Sequence, residues 1–177
     1  MLFRSVPWPE QTPQFNRQQQ LELKLPAGTI DTPETREWRA RYATAVGKAD
    51  DDLGTIMNAA REHLAPESLF LFSADHGAQW PFGKWNLYEA GVCVPLIVAW
   101  PGVVKSGTRS DAFVNWTDLL PTLLTAAGGT GPSEIDGRSF LPVLEGRATT
   151  HRDRIFTTHA NDNRMNVYPM RAVRNER

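Results

Sequence analysis

The chain contains one cysteine, Cys93, among its 177 residues. A single thiol excludes an internal disulfide framework and says little about the redox compartment. The sequence also lacks an apolar run long enough to cross a bilayer, and residues 1–7 lack the apolar core of a secretory signal. We therefore expect no membrane span, and these absences leave the localisation open.

No charge of one sign dominates the chain, which has 19 Lys and Arg residues against 20 Asp and Glu residues. The basic residues are scattered, and Arg171, Arg174 and Arg177 fit the solvated face of a strand better than a phosphate-binding stripe. We therefore expect no nucleic-acid partner. The length and the 41% hydrophobic content are typical of about one globular domain with a buried core.

The most informative segment follows the apolar run at 69–72 and reads Ser73-Ala74-Asp75-His76-Gly77, with Gly83-Lys84 a few residues later. A short, uninterrupted apolar run is typical of a strand covered on both faces. Asp75 offers a carboxylate and His76 an imidazole, and Gly77 gives the backbone freedom to aim both at one point. Lys84 adds a positive charge. A divalent cation beside an ammonium group suits an anionic ester such as a sulfate or phosphate.

This short motif has a plainer interpretation, in which Asp75 caps a turn and His76 packs or faces solvent. The longer stretch at 69–102 favours the metal site. It reads LFLFSADHGAQWPFGKWNLYEAGVCVPLIVAWPG. This stretch resembles the sulfatase family within the alkaline phosphatase superfamily. That family has the order strand, Ser-Asp-His/Asn-Gly, Gly-Lys, Leu-Tyr-Glu, Val-Pro and a second buried strand.

The resemblance covers residues 26–177. Residues 31–36 resemble the start of the family's long helix, and 117–122 and 136–139 resemble its following helix and turn. The segment at 168–174, Tyr-Pro-Met-Arg-Ala-Val-Arg, is similar to the branch that includes heparan N-sulfatases. The resemblance thus implies the second half of a sulfatase catalytic domain.

The resemblance also implies roles for individual residues. Asp75 and His76 match the family's second pair of metal ligands, and Lys84 matches a catalytic lysine that contacts a sulfate oxygen and the departing group. Ca²⁺ is the expected ion. Zn²⁺ or Mn²⁺ is the alternative, because His76 stands where many sulfatases have asparagine and imidazole suits those metals. We also consider His159, in the polar loop His159-Ala160-Asn161-Asp162-Asn163, for the substrate pocket, against a turn built by Asx hydrogen bonds. For His63 and His151 a surface or helix-end position is favoured.

The aromatic residues around Lys84 are given two roles. We consider Trp80 or Phe82 for the border of a sugar or aryl substrate, and we expect Trp85 and Tyr88 mainly to pack beneath the loop. Glu89 is equally suited to orient the site and to form a salt bridge within the loop.

The family's nucleophile is absent from this chain. Sulfatases carry a Cys-x-Pro-x-Arg or Ser-x-Pro-x-Arg element whose first residue is oxidised to formylglycine. Cys93 begins the sequence Cys-Val-Pro-Leu-Ile, which puts Ile97 at the position of the arginine. We therefore predict that Cys93 is a small buried residue, and that the isolated chain has little or no turnover.

The predicted fold class is α/β, a partial alkaline-phosphatase-like sandwich with a mixed, mostly parallel sheet and helices on both faces. We expect an irregular N-terminal arm at 1–25 and an incomplete catalytic domain at 26–177, with a C-terminal subdomain missing. A long helix is predicted after the N-cap Thr32, with an apolar stripe from Trp38 to Leu64. Strands are predicted at 69–73, 94–100, 154–158 and 167–174, and shorter helices at 115–127 and 139–144.

Three functions remain open. We favour a metal-dependent sulfuric ester or N-sulfate hydrolase that acts on small-molecule or glycan sulfates, with sulfated sugars as the expected substrates. The first alternative is a phosphonate monoester or phosphodiester hydrolase of the same superfamily. The second is a catalytically inactive fragment. Full-length sulfatases are usually periplasmic, secreted or lysosomal, and the oligomeric state is left open.

Overall fold

The computed structural model describes residues 14–160 and 167–176. Its helices are α1 (Arg17–Glu22), α2 (Pro33–His63), α3 (Glu89–Val92), α4 (Leu119–Ala126) and α5 (Leu141–Leu144), with a 3₁₀ turn at Trp116–Asp118. Its strands are β1 (Phe70–Ser73), β2 (Leu96–Ala99), β3 (Arg154–His159) and β4 (Met170–Asn175). The chain is therefore α/β, as predicted. It divides into two compact units between Pro66 and Glu67.

The first unit begins with α1, where an irregular arm was predicted. The amide of Asn16 donates to Gln19 Oε1, and the amide of Gln19 donates to Asn16 Oδ1, each at 2.9 Å. This reciprocal pair satisfies two amides that the helix leaves without partners. The prediction of irregular structure is wrong at 17–22, because the polar run supplies its own helix cap. Residues 1–13 of that arm lie outside the described residues.

Arg36 of α2 forms hydrogen bonds to the end of α1. One of its nitrogens, Nη1, donates to the carbonyls of Gln20, Leu21 and Leu23, at 3.1, 2.7 and 3.2 Å. Its other two nitrogens donate to the two oxygens of Asp31, at 2.7 and 2.6 Å. Those side-chain hydrogen bonds lower the pKa of Asp31. The carbonyls that end α1 are thus paired with a guanidinium group.

The long helix α2 begins as predicted. Thr32 is its N-cap, the amide of Thr35 donates to Thr32 Oγ1 at 3.2 Å, and Pro33 occupies the first helical position. The buried face of the helix lies at Ala40 and Thr44. Large side chains of the predicted stripe, among them Trp38 and Leu64, are exposed. Helical periodicity therefore located the helix but not the face that is covered.

Both sheets in the described part of the chain are two-stranded and antiparallel. Phe70 of β1 lies opposite Ala99 of β2, and Arg154 of β3 lies opposite Asn175 of β4. The prediction of a mostly parallel sheet is wrong for these strands. The uninterrupted apolar runs at β1 and β2 also predicted cover on both faces, but these strands are half-buried and Ile97 is exposed. Such runs carry no information on strand direction.

The second unit is organised around Asp118, whose side chain is fully buried. Arg152 donates from Nε and Nη2 to the two carboxylate oxygens, at 2.8 and 2.5 Å. The amides of Asn115 and Arg138 donate at 2.9 and 2.8 Å. One carboxylate thus holds the start of the 3₁₀ turn, the loop at 138 and the segment before β3.

A second layer of hydrogen bonds continues from the same turn. Thr122 Oγ1 donates to the Asp118 carbonyl at 2.6 Å and accepts from the amide of Phe140 at 3.0 Å. Phe140 is 2% exposed and is the largest fully buried side chain among the described residues. The polar contacts therefore place the aromatic ring that fills the core of this unit.

His151 also belongs to this cluster. Its Nε2 lies 3.2 Å from Asp118 Oδ2, and its ring meets Phe140 edge-on with centroids 6.1 Å apart. The prediction of a surface position for His151 is wrong, because its imidazole has a buried carboxylate as partner. His63, predicted to lie at the surface, is exposed at the end of α2.

The pKa of Asp118 shows how strongly the cluster holds the charged form. Burial alone would raise this pKa, but the hydrogen bonds from Arg152 and from the amides of Arg138 and Asn115 lower it to about 2. An unfolded aspartate has a pKa of about 3.9. The resulting stabilisation is complete above the unfolded value and is lost as the pH falls through the folded value.

We predict that Asp118→Asn lowers the free energy of unfolding at pH 7 by about 3–5 kcal/mol, because Arg152 loses a buried counter-charge. Urea unfolding followed by tryptophan fluorescence measures this. The gap between wild type and variant should shrink as the pH is lowered from about 4 toward 2. Asp111→Asn, at an exposed position, is the matched control and should change stability by less than about 0.5 kcal/mol. Equal effects of the two substitutions would contradict the role given to Asp118.

Candidate metal and anion site

The predicted metal ligands follow directly after β1. The strand ends at Ser73, whose hydroxyl donates to the carbonyl of Pro95 at 2.6 Å. The amide of Gly77 donates to the carbonyl of Gly91 at 2.9 Å. These two bonds fix both ends of the turn at 74–76, so that Asp75 and His76 project from a held backbone.

Asp75 and His76 face one another. The imidazole Nε2 lies 3.5 Å from Asp75 Oδ2, and the other carboxylate oxygen accepts from the amide of His76 at 3.0 Å. The imidazole Nδ1 lies 2.8 Å from the carbonyl of Gly77. Because a carbonyl only accepts, Nδ1 carries the proton in this hydrogen bond, and the neutral ring keeps its lone pair on Nε2.

The two donor atoms are spaced as neighbours in a coordination shell. Two ligands at right angles and each about 2.2 Å from a cation lie about 3.1 Å apart. The Oδ2 to Nε2 separation is close to that value. Within residues 14–160 and 167–176, no cluster of three or more His, Cys, Asp or Glu side chains is able to hold a metal ion. The pair therefore fits as part of a metal site and needs further ligands to complete it.

Three glycines bring the turns around these ligands into backbone contact. A Cβ on Gly77 would lie 1.7 Å from the carbonyl oxygen of Ala90. A Cβ on Gly83 would lie 2.1 Å from the Ala78 oxygen, and one on Gly91 would lie 2.5 Å from the Gly83 oxygen. The Asp75–His76 turn, the Gly83–Lys84 turn and α3 therefore pack against each other through their main chains.

Lys84 sits in a turn with an unusual backbone. Its neighbours Phe82 and Trp85 both have positive φ angles, 62° and 68°. For residues with large side chains this conformation is costly and needs support from the surroundings. The amide of Lys84 donates to the carbonyl of Ala78 at 2.9 Å, which ties the turn back toward the metal ligands. Its ammonium group lies 5.2 Å from the centroid of the Trp85 ring.

Exposed aromatic rings lie beside this turn. Phe82 and Tyr88 meet edge-on with centroids 5.2 Å apart, and both are exposed. Phe82 was one of the two residues considered at the border of a substrate, and its exposure is compatible with that role. The prediction that Tyr88 packs beneath the loop is wrong, because its ring is exposed and meets Phe82 edge-on.

His159 is the last residue of β3, and it pairs with Met170 of β4. Its ring lies 5.6 Å from the ring of Tyr168. The rest of the polar loop predicted beside it, Asn161-Asp162-Asn163, lies outside the described residues. A place for His159 in the substrate pocket stays a prediction.

Cys93 is exposed, so the prediction of a buried thiol is wrong. It follows α3 at the point where the chain turns toward β2, and its amide donates to the carbonyl of Glu89 at 2.8 Å. The apolar sequence after Cys93 suggested burial. The exposed position of Cys93 follows from its place as the C-cap of α3 rather than from the apolar residues after it.

The sequence did not indicate the partner of one group near the candidate site. Glu89, the first residue of α3, forms an ion pair with Arg174 of β4. The alternatives considered for Glu89 were a partner that orients the site and a salt bridge within its own loop. No local pattern indicates the observed pair, because its members are 85 residues apart in the chain.

Comparisons with known proteins match this architecture. The family described as N-sulphoglucosamine sulphohydrolase, C-terminal, matches residues 75–177. The Formosa agariphila ulvan-active sulfatase is 33% identical over 78% of this chain and 28% of its own length. Human N-sulphoglucosamine sulphohydrolase is 31% identical over 93% of this chain and 34% of its own length. The chain belongs to the sulfatase family, in the group that the N-sulphoglucosamine sulphohydrolase C-terminal region defines.

A solved structure is similar as well. The phosphonate monoester hydrolase SpPMH from Silicibacter pomeroyi matches with a TM-score of 0.62 and 29% identity, over 74% of this chain and 27% of that chain. The chain thus spans about a third or less of the length of these proteins. The sulfatases among these relatives are, by their names, hydrolases of sulfate groups. Within the part of the chain that the structure describes, no helix combines the length and apolarity needed to cross a membrane.

We predict that Gly77→Ala disrupts the candidate site, since its methyl group would overlap the Ala90 carbonyl and the backbone must move. The expected loss in free energy of unfolding is about 3 kcal/mol or more. Urea denaturation measures it. Gly47→Ala is the control, since nothing lies within 4 Å of its Cβ and alanine favours the helix by about 1 kcal/mol. A Gly77→Ala protein of wild-type stability would contradict the close approach.

Proposed function

We propose that this chain supplies one side of the active site of a metal-dependent sulfuric ester or N-sulfate hydrolase. The observation that carries the proposal is the convergence of Asp75 Oδ2 and His76 Nε2 at the end of β1. Membership in the sulfatase family supports the reaction class. The match to SpPMH supports the proposal that these α/β elements form part of an alkaline-phosphatase-like sandwich, with helices on both faces.

Asp75 and His76 are proposed to hold the metal ion through Oδ2 and Nε2. The hydrogen bond between Nδ1 and the Gly77 carbonyl orients the ring and leaves Nε2 as the nitrogen available to a metal ion. The carboxylate suits Ca²⁺, and the imidazole suits Zn²⁺ or Mn²⁺, so the chemistry of the pair allows each of these ions. Bound there, the ion would withdraw charge from an ester oxygen.

Lys84 is proposed as the residue that contacts the anionic ester. Its amide donates to the carbonyl of Ala78, which lies two residues past His76, and its side chain is half-buried. An ammonium group held near a low-dielectric surface stabilises charge that develops on a sulfate oxygen or on a departing alcohol or amine.

The nucleophile does not come from the 177 residues of this chain, which have no Cys-x-Pro-x-Arg or Ser-x-Pro-x-Arg element. We propose that formylglycine, supplied from outside this segment, provides the attacking oxygen in the active protein. The isolated chain is then expected to bind a metal ion weakly and to hydrolyse little or no ester. His159 is proposed to line the substrate pocket from the end of β3.

Sulfated sugars are the proposed substrates, and export to the periplasm, a lysosome or the medium is the proposed localisation. The named relatives support the substrate class, since they include an ulvan-active sulfatase and an N-sulphoglucosamine sulphohydrolase. Neither nucleic acid nor a membrane is proposed as a partner.

The second candidate is a phosphonate monoester or phosphodiester hydrolase. It is favoured by the similarity to SpPMH and by an imidazole, rather than an amide, at residue 76. The two candidates share the metal pair and the lysine. They differ in whether the gene product that carries this chain hydrolyses sulfate esters or phosphorus esters faster.

Metal binding by the isolated chain tests whether Asp75 and His76 form part of a metal site. We predict that Mn²⁺ binds with a dissociation constant of about 10⁻⁴–10⁻³ M, as expected for an incomplete ligand set. Loss of the free Mn²⁺ signal in electron paramagnetic resonance measures it. His76→Ala should weaken binding about tenfold or more. His63→Ala, at an exposed histidine, is the control and should leave it unchanged. Equal affinities of wild type and His76→Ala would exclude His76 as a ligand.

Activity of the gene product that carries this chain tests the second step. We predict hydrolysis of 4-methylumbelliferyl sulfate or N-sulfoglucosamine at a kcat/KM above that for phenyl methylphosphonate. Lys84→Ala should lower kcat about 10²–10³-fold, the range for removing one charge-stabilising donor. Lys105→Ala, at an exposed lysine in a turn, is the matched control. A faster phosphonate reaction would favour the second candidate, and an unchanged Lys84→Ala kcat would remove Lys84 from the site.

A further inference from the structure

Arg174, an exposed residue of β4, makes two contacts outside its own strand. Its guanidinium group pairs with the Glu89 carboxylate and lies 4.7 Å from the centroid of the Phe113 ring. Stacking on an aromatic ring and pairing with a carboxylate use the planar, always charged group that distinguishes arginine from lysine. The contact joins β4, near the end of the described chain, to the first residue of α3.

The short helix α3 touches both parts of the candidate site. Gly91, within α3, accepts a hydrogen bond from the amide of Gly77, next to the metal ligands. The same glycine lies against the carbonyls of Gly83 and Asn86, on either side of Lys84. A shift of α3 would therefore displace the Asp75–His76 turn and the Lys84 turn together.

The Lys84 turn needs outside support. Phe82 and Trp85 hold positive φ angles on either side of Gly83 and Lys84. Such conformations cost about 1–2 kcal/mol for a residue with a Cβ, and they persist only where the surroundings impose them. Close packing of α3 against Gly83 imposes the turn from one side. Whatever fixes α3 thereby fixes the turn.

We propose that Arg174 is a positioning residue that acts through Glu89 to fix α3 and, with it, the Lys84 turn. The proposal deepens the proposed function and rests on it for any effect on catalysis. The ion pair itself is partly exposed, with side-chain exposures of 47% for Arg174 and 56% for Glu89. Such a pair adds little to global stability. Its loss should therefore change the geometry of the turn more than the stability of the fold.

Fluorine NMR of the chain labelled with 5-fluorotryptophan tests the positioning directly. Trp80 and Trp85 report on the Lys84 turn, and Trp38 in α2 is the internal reference; single Trp→Phe variants assign the lines. We expect Arg174→Met to shift or broaden the Trp80 and Trp85 lines and leave Trp38 unchanged. Arg174→Lys keeps the charge and should restore part of the wild-type spectrum. Unchanged Trp80 and Trp85 lines in Arg174→Met would overturn the proposal.

Two further variants separate positioning from a general loss of structure. Arg171→Met, on β4 at an exposed position three residues earlier, is the matched control and should give the wild-type spectrum. The charge swap Glu89→Arg with Arg174→Glu should bring the lines back toward wild type, since it restores the pair. An Arg171→Met spectrum that changes as much as that of Arg174→Met would show that the effect is not specific to the Glu89 contact.

Catalysis gives an independent readout in the gene product that carries this chain. We expect Arg174→Met to lower kcat about tenfold with KM changed less than twofold, since a misplaced lysine affects charge stabilisation more than binding. A wild-type kcat in Arg174→Met would overturn the catalytic part of the proposal. A wild-type protein without hydrolysis of any ester would instead refute the proposed function, and the fluorine spectrum would still decide whether Arg174 fixes the turn.

Discussion

The buried charge of Asp118 is the constraint on which the second unit depends. A buried carboxylate needs hydrogen-bond donors for its oxygens. The oxygens of Asp118 accept hydrogen bonds from Asn115, Arg138, His151 and Arg152. These groups belong to three stretches of chain, since His151 and Arg152 are adjacent. Satisfying one charge therefore brings three separate segments together. The core ring of Phe140 follows from the same turn through Thr122.

The candidate site does not depend on a buried charge. It is held by main-chain contacts among Gly77, Gly83 and Gly91 rather than by side-chain packing, which leaves the side chains of Asp75, His76 and Lys84 available for a ligand. The Asp75–His76 pair is exposed, no third His, Cys, Asp or Glu side chain of the described residues completes it as a metal site, and the lysine turn has two positive φ angles. A backbone fixed by close main-chain contacts, with polar side chains exposed on it, is the arrangement expected of one side of an active site. The family membership agrees with that description.

Features that depend on residues close together in the chain were predicted from the sequence. The cap at Thr32, the strand before Ser73 and the position of the Asp75–His76 turn follow from residue types and spacing within a few positions. The sequence did not disclose strand direction, the burial of His151 or the exposure of Cys93. Strand direction and the burial of His151 depend on partners far along the chain, as Asp118 and His151 show with a separation of 33 residues, whereas Cys93 lies at a local helix cap. The Arg174–Glu89 contact escaped prediction for the same reason. Periodicity located α2, yet it overestimated how much of the apolar stripe is covered.

The three glycines have a consequence for how such a site can diversify. The atoms that would clash with a new Cβ at these positions are backbone carbonyl atoms for each of them. A side chain at one of these glycines could not be accommodated by making a neighbouring side chain smaller, because the clashing atoms belong to the backbone, which no substitution removes. Compensating substitutions are therefore not available at these contacts, and new side chains are more easily introduced at exposed positions of the loop, such as Phe82. Paralogues with altered specificity would then share the same backbone path and differ only in the side chains displayed on it.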